Sequence, residues 1–270
     1  MLTTKSFVLP DDVERIIVVS DLHGLTAPLE VIDGILRGFP EKVQVIAAGD
    51  YFSSGLRPKE TLEWVRRTAG EFAILGNHDV LNAPEGDFPP YTEEGAFSRL
   101  DAELKGYLAG LPHIIDLSWH GQRIRIAHDR PPSGERLSAK ATIPEAVEMF
   151  ADPTTDLTVC AHTHYPFVET LSDTIVANSG STGFLFLGHE REDGSIQSKG
   201  HKGETYEPVH EIYSTYMSVV LKTGRIHATV ERFSYDCEPE IRALQEIGHP
   251  TLERLTVLYR TGLHIRPRAG

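Results

Sequence analysis

With 26 basic residues against 39 acidic ones, the 270-residue chain carries a formal net charge of −13, which repels phosphate backbones and excludes the basic stripe that a nucleic-acid polymer requires. Its 40% hydrophobic content supports a sizeable core, and neither a basic start followed by an apolar run nor an apolar stretch of membrane-spanning length is present. The expectation is a cytoplasmic protein with one domain over residues 1–270, off the membrane; its charge still permits a compact phosphate ester to bind, because divalent cations in a site reverse the local sign in an acidic chain.

The first predicted element is Arg15-Ile-Ile-Val-Val-Ser20, a β-branched apolar run that breaks at Asp21-Leu-His-Gly24 as a buried strand does on entering a functional loop. A helical pattern through Leu29, Ile32, Ile35 and Leu36 follows and ends near Gly38 and Pro40. Lys42–Ala48 reads as a second strand stopping at Gly49-Asp50, Glu60–Ala69 as a helix, and Phe72–Leu75 as a third strand stopping at Gly76-Asn-His-Asp79. Strand, loop and helix thus alternate, which makes this half α/β. Residues 82–95, rich in Pro, Gly and acidic side chains, read as a flexible surface loop, and Phe97–Leu108 as a helix ending at Gly110 and Pro112.

The second half is richer in strands: Ile114–Trp119, Arg123–Ala127, Leu157–Ala161, Thr174–Ala177, Tyr216–Leu221 and Arg225–Phe233, with a hairpin predicted at Lys222-Thr-Gly224. Residues 189–210 are polar and Gly-rich and read as a mobile loop. Cys160 and Cys237 are too few for a disulfide framework, and neither has a second cysteine at metal-site spacing.

Metal-ligand side chains follow apolar strands in five segments: Asp21-x-His23, Asp50, Asn77-His78-Asp79, His128 and His162-x-His164. Ligands of open α/β sheets bind beyond the carboxyl ends of the strands, so loops far apart in sequence can converge there. One Asp-x-His or His-x-His pair carries little weight, since alternate residues of any extended segment point the same way; the ordered set of five carries much more. Its oxygens and imidazoles form a mixed donor set that suits Mn, the first expectation, or Fe, Zn or Ni, rather than Ca.

In this order the segments resemble the calcineurin-like metallophosphoesterase superfamily, whose pattern runs Asp-x-His, Gly-Asp, Gly-Asn-His-(Asp/Glu), His, Gly-His-x-His. The resemblance implies an α/β fold, a four-layer αββα sandwich of two mixed β-sheets flanked by helices. It implies two divalent metal ions, one held by Asp21, His23, Asp50 and His164, the other by Asp50, Asn77, His128 and His162, with Asp50 bridging. Two such cations acidify a bridging water into the nucleophile of a phosphoesterase and clamp the phosphoryl oxygens. His78, outside the ligand set, is expected to protonate the leaving oxygen or stabilise its charge, and Asp79 either orients His78 or starts the next turn. Asn178-Ser-Gly-Ser-Thr-Gly183 resembles the Asn-Pro-Gly-Ser turn of the small bacterial phosphodiesterase branch, the alternative being a plain strand-to-strand turn.

Some positions depart from the pattern. Ser53 and Ser54 stand where Ser/Thr protein phosphatases have Asp and Arg, which disfavours that activity; Arg57 and Arg130 are the nearest replacements, both read chiefly as solvated. Ala161 replaces the usual glycine before His162, and Asp129 replaces the glycine after His128. The remaining histidines, among them His249 and His264, are read as surface or packing residues. The leading expectation is hydrolysis of a small phosphodiester, phosphomonoester or nucleotide polyphosphate, with a protein phosphatase or a non-catalytic scaffold of the same fold as alternatives.

Overall fold

The computed structural model describes residues 2–79, 81–82, 86–198 and 213–266. Its N-terminal half runs β1 (Thr4–Val8), β2 (Arg15–Val19), α1 (Ala27–Gly38), β3 (Val43–Ala47), α2 (Pro58–Thr68), α3 (Glu93–Ser98) and α4 (Ala102–Ala109). There follow β4 (Ile114–Trp119), β5 (Gln122–Ala127), α5 (Ile143–Phe150), β6 (Leu157–Cys160), β7 (Phe167–Leu171), β8 (Thr174–Asn178), β9 (Gly188–Glu190) and β10 (Ile196–Ser198). The chain ends with β11 (Ser214–Lys222), β12 (Arg225–Phe233), α6 (Glu238–Glu246), α7 (Leu252–Thr261) and β13 (Leu263–His264).

Two mixed sheets dominate, one in the order β1-β4-β5-β6-β8-β7 and the other β12-β11-β2-β3. The alternation of side chains along β2 explains how they stack. Ile16 and Val18 face an apolar cluster shared with Met217 of the neighbouring strand β11 and with Ile115, Ile126 and Val159 of the opposing sheet. Ile17 and Val19 face the opposite way, onto Leu29, Ile32, Leu62, Ile241 and Tyr259 of the helices. A smaller cluster beneath the larger sheet packs Ala146 and Phe150 of α5 against Ile114, Ala127 and Val176. The layers are therefore helix, sheet, sheet, helix. No helix among the described residues is long and apolar enough to cross a membrane.

Several elements depart from the sequence reading. Phe72–Leu75 is no strand but a single parallel bridge, Ala47 to Ala73. The chain leaves β3 at once because Leu75 N–H donates to Pro112 O at 2.8 Å and Ile74 O accepts from Tyr51 Oη at 2.7 Å. The helix expected over 97–108 is two, each starting at its own cap: Thr92 Oγ1 accepts from Gly95 N and Asp101 from Leu104 N. Glu93 thus belongs to a helix rather than to the flexible loop, and residues 83–85 of that loop lie outside the described residues. The predicted mobile loop begins in the β9–β10 hairpin, which pairs with β13 in a third, three-stranded sheet; its remainder, 199–210, lies outside the described residues. The predicted hairpin at Thr223-Gly224 is present, with both residues at positive φ (51° and 76°) as its two-residue turn demands.

Candidate metal centre

β2, β3, β5 and β6 run side by side within their sheets, and the loops after them converge between the two sheets. Each turn there is abrupt: Asp21, His23, Asp50, His162 and His164 all adopt left-handed backbone, with φ of 54°, 51°, 59°, 70° and 55°. For residues with a Cβ this costs about 1 kcal/mol apiece, and clusters of it mark sites where the surrounding structure imposes a geometry. The restraints are visible: Asp21 N donates to Gly49 O (2.9 Å), His23 N to Asp50 O (3.0 Å) and Gly55 N to His23 O (2.7 Å). Gly76 has no substitute, because a Cβ on it would lie 2.2 Å from Asp50 Oδ1.

The turn at 178–183 is more than a connection. Ser181 Oγ donates to Asp21 O (2.9 Å), Thr182 N to Ser20 O (2.9 Å), and Asn178 Nδ2 to Ala161 O (2.8 Å). It therefore stitches the Asp21 loop to the His162-x-His164 loop across the two sheets.

The side chains meet in two groups, Asp21 with His23 and His164, and Asp50 with His128 and His162, each with its donor atoms within 4.8 Å of one another. Asp21 Oδ1 lies 3.1 Å from His164 Nε2, and Asp50 Oδ2 lies 3.1 Å from His128 Nε2. The groups adjoin, Asp21 Oδ1 being 3.9 Å from His128 Nε2. Both carboxylate oxygens of Asp21, His128 Nε2 and Asn77 Oδ1 are buried and make no aligned hydrogen bond. Unpaired buried groups of this kind cost about 1–3 kcal/mol each unless something neutralises them.

Three histidines share one tether. Nδ1–H of His23 donates to Phe52 O (2.8 Å), that of His128 to Ala48 O (2.7 Å) and that of His164 to Phe184 O (2.9 Å). With Nδ1 so occupied, Nε2 carries the lone pair, and the Nε2 atoms of His23 and His164 then face each other at 2.9 Å. Opposed lone pairs beside a bare carboxylate need a cation between them, so the donor set fits a pair of divalent ions.

Without one, protons take that place. Burial opposes ionisation of Asp21, yet the charges of His164 and His128 hold it down to about 2; Asp50, despite its burial, is held well below the usual range by His128. Burial likewise opposes the charged form of His128, but Asp50 lifts it to about 10. His23 and His162 fall to about 3, chiefly through burial and then through the charge of a neighbouring histidine.

Asp79 does not orient His78. Its carboxylate accepts three backbone N–H groups, from Asp50 (2.8 Å), Tyr51 (2.7 Å) and Gly76 (2.7 Å), and so locks two loops together. Burial, then the charge of Asp50, pushes it up to about 7 in the absence of a cation. The partner of His78 is Glu93, whose Oε1 meets Nδ1. Burial pulls His78 down, but the Glu93 hydrogen bond and the charges of Asp50 and Glu93 raise it above its ordinary value. Its Nε2 lies 4.0 Å from Asp50 Oδ2, while its backbone N–H donates to Asp50 Oδ1 (2.8 Å). Glu93 escaped the sequence reading; the helix start Thr92-Glu-Glu-Gly was the available hint.

Two clefts open from the centre. One, of about 260 Å³, is lined by His23, Asp50, His78, His162 and His164 together with Phe184, Phe186, Arg254, Leu255 and Leu258. The second, of about 470 Å³, is lined by Asn77, His128, Asp129, Arg130 and Arg136. Arg57 reaches neither: it donates to Thr26 Oγ1 (2.8 Å) and lies 3.7 Å from Glu240.

Comparison with known proteins agrees with this architecture. The family model described as the calcineurin-like phosphoesterase superfamily domain matches residues 15–193. Among solved structures, a metallophosphoesterase from Sphaerobacter thermophilus is 21% identical with a TM-score of 0.62, covering 90% of this chain and 98% of its own. A hypothetical protein from Pyrococcus horikoshii OT3 is 17% identical with a TM-score of 0.64, covering 91% and 98%. At such identities the likeness is one of fold. No curated protein matches the chain.

Proposed function

Because the chain belongs to the calcineurin-like phosphoesterase superfamily, we propose that it is a metal-dependent hydrolase of small phosphate esters, working at the centre formed by its two His/Asp groups. The observation that carries this reading is the tethered set of imidazoles: Nδ1 of His23, His128 and His164 bound to carbonyls, and Nε2 directed at the buried carboxylates of Asp21 and Asp50, the former with no hydrogen-bond partner. Asp21, His23 and His164 would hold one cation and Asp50, Asn77, His128 and His162 the other, with Asp50 shared between them. When bound, the cations supply Lewis-acid polarisation of the phosphoryl oxygens and lower the pKa of water.

The chain's own groups do the rest. His78 borders the cleft, and Glu93 keeps a proton on its ring, so Nε2–H is available to the departing oxygen. Asp79 acts at one remove, holding the Asp50 and Gly76 loops in register through three N–H bonds. The cleft of about 260 Å³ suits a small phosphodiester, phosphomonoester or nucleotide polyphosphate, and the net charge of −13 disfavours a nucleic-acid polymer.

Elemental analysis together with hydrolysis of bis(p-nitrophenyl) phosphate in added manganese tests the reading. Bound metal and turnover lost on chelation support it. A protein that binds no divalent ion and turns over no phosphate ester would instead be a scaffold.

A further inference from the structure

An acidic chain uses most of its arginines to pair with carboxylates. Arg15 pairs with Glu41, Arg125 with Asp116 and Asp152, Arg136 with Asp129, and Arg260 with Glu238. Arg254 does not follow this pattern. Among the described residues no carboxylate pairs with it, its Nε is buried with no hydrogen-bond partner, and it is the one Arg or Lys lining the cleft that contains His23, Asp50, His78 and His164. Leaving a guanidinium donor buried and unsatisfied is costly, which argues for a ligand.

The group is also held in place. Arg254 Nη2 donates to His264 Nε2 at 2.7 Å. His264 can accept because burial, and then the charge of Arg254 itself, lowers its pKa and keeps the ring neutral. His264 lies on β13, which pairs with β9 in the small third sheet, so that sheet serves to hold the guanidinium at the cleft. Phe186, Leu255 and Leu258 flank it with apolar surface.

We propose that Arg254 is the substrate-anion ligand of this enzyme: its guanidinium binds phosphate oxygens of the ester, and the apolar wall of Phe186, Leu255 and Leu258 packs against the ester's organic group. A planar fork of N–H donors matches phosphate geometry, and Arg254 thereby supplies the cationic contact that Ser53 and Ser54 do not. The inference rests on the phosphoesterase reading above. The phosphate bound is either the scissile one or a second phosphate of the same substrate, and the test separates the two.

The metal-loaded full chain, Arg254→Ala and Arg254→Lys are compared on bis(p-nitrophenyl) phosphate, which has one phosphate, and on a nucleoside triphosphate, which has three. Metal content is measured alongside. For Arg254→Ala the expected result is a rise in KM of about 10–100-fold at unchanged metal content, with Arg254→Lys between it and the wild type. A rise on both substrates assigns the guanidinium to the scissile phosphate; a rise on the triphosphate alone assigns it to a second one. Unchanged KM on both, or loss of metal in both variants, overturns the proposal. Should the wild type hydrolyse neither ester, the phosphoesterase reading itself fails. Pyrophosphate binding measured by calorimetry then decides the role of Arg254: weaker binding in Arg254→Ala supports it, and equal binding refutes it.

Discussion

Loading the metal-free protein with manganese at different pH values probes the electrostatics of the Asp50, His128 and His162 group. In the metal-free state Asp50 lifts His128 to about 10, whereas His162 lies near 3 and Asp50 is ionised. At pH 7 only His128 of this group therefore carries a proton that a cation must displace, since an imidazole ligates in its neutral form. The sign follows directly: metal affinity rises with pH, about tenfold per unit, until the pH reaches the pKa of His128. Three units below that value, at 1.36 kcal/mol per unit, protonation withholds about 4 kcal/mol of binding free energy. Calorimetry in two buffers of different ionisation enthalpy, between pH 6.5 and 8.5, counts the protons. One proton per chain should be released from His128 across this range. Asp79, near 7, adds a fraction that disappears by pH 8.5, where it is already ionised. Manganese binding with no proton release and no pH dependence would refute the Asp50–His128 pairing.

Other substitutions separate the roles of neighbouring groups. His78→Ala should keep both cations and slow turnover by about 10²–10⁴-fold, as read by kcat beside elemental analysis; loss of metal would make His78 a ligand instead. Glu93→Gln removes the hydrogen bond and charge that raise His78, so the limb on which kcat falls with increasing pH should move to lower pH, and an unmoved limb would exclude His78 as the proton donor. Glu240, buried in α6, accepts N–H bonds from Thr26 (3.0 Å) and Ala27 (3.1 Å) at the start of α1, where Thr26 itself makes no side-chain cap. Glu240→Ala should therefore destabilise the fold by about 2 kcal/mol in urea denaturation, and an unchanged midpoint would remove this contact from the account.

The strands β2, β3, β5 and β6 are legible because each is an apolar or alternating run broken by Asp or His, and such a break has few explanations besides a site; Phe72–Leu75, broken by Asn77, carries the same signal without forming a strand. Arg225–Phe233 was read to the residue because its hairpin turn is spelled by Thr223-Gly224. What escaped depended on distant partners or on very short pairings. Leu263–His264 is a two-residue strand, too short for any alternation, and its meaning comes from Arg254 and β9. α6 and α7 bury Ile241, Leu244, Leu255 and Leu258 on one face, a spacing present in the sequence but overshadowed by the preceding strands. α5 had an available cue in Thr142-Ile-Pro-Glu145, a capping box with Pro in the first turn. At the centre, spacing named the candidate ligands. It could not reveal that Glu93 rather than Asp79 holds His78, since that depends on where α3 lies.

Anomalous diffraction from crystals grown with manganese tests the central claim most directly. Two peaks are predicted, one among Asp21, His23 and His164, the other among Asp50, His128 and His162, with Asp50 between them. A manganese-soaked crystal showing no peak at either group would contradict the account.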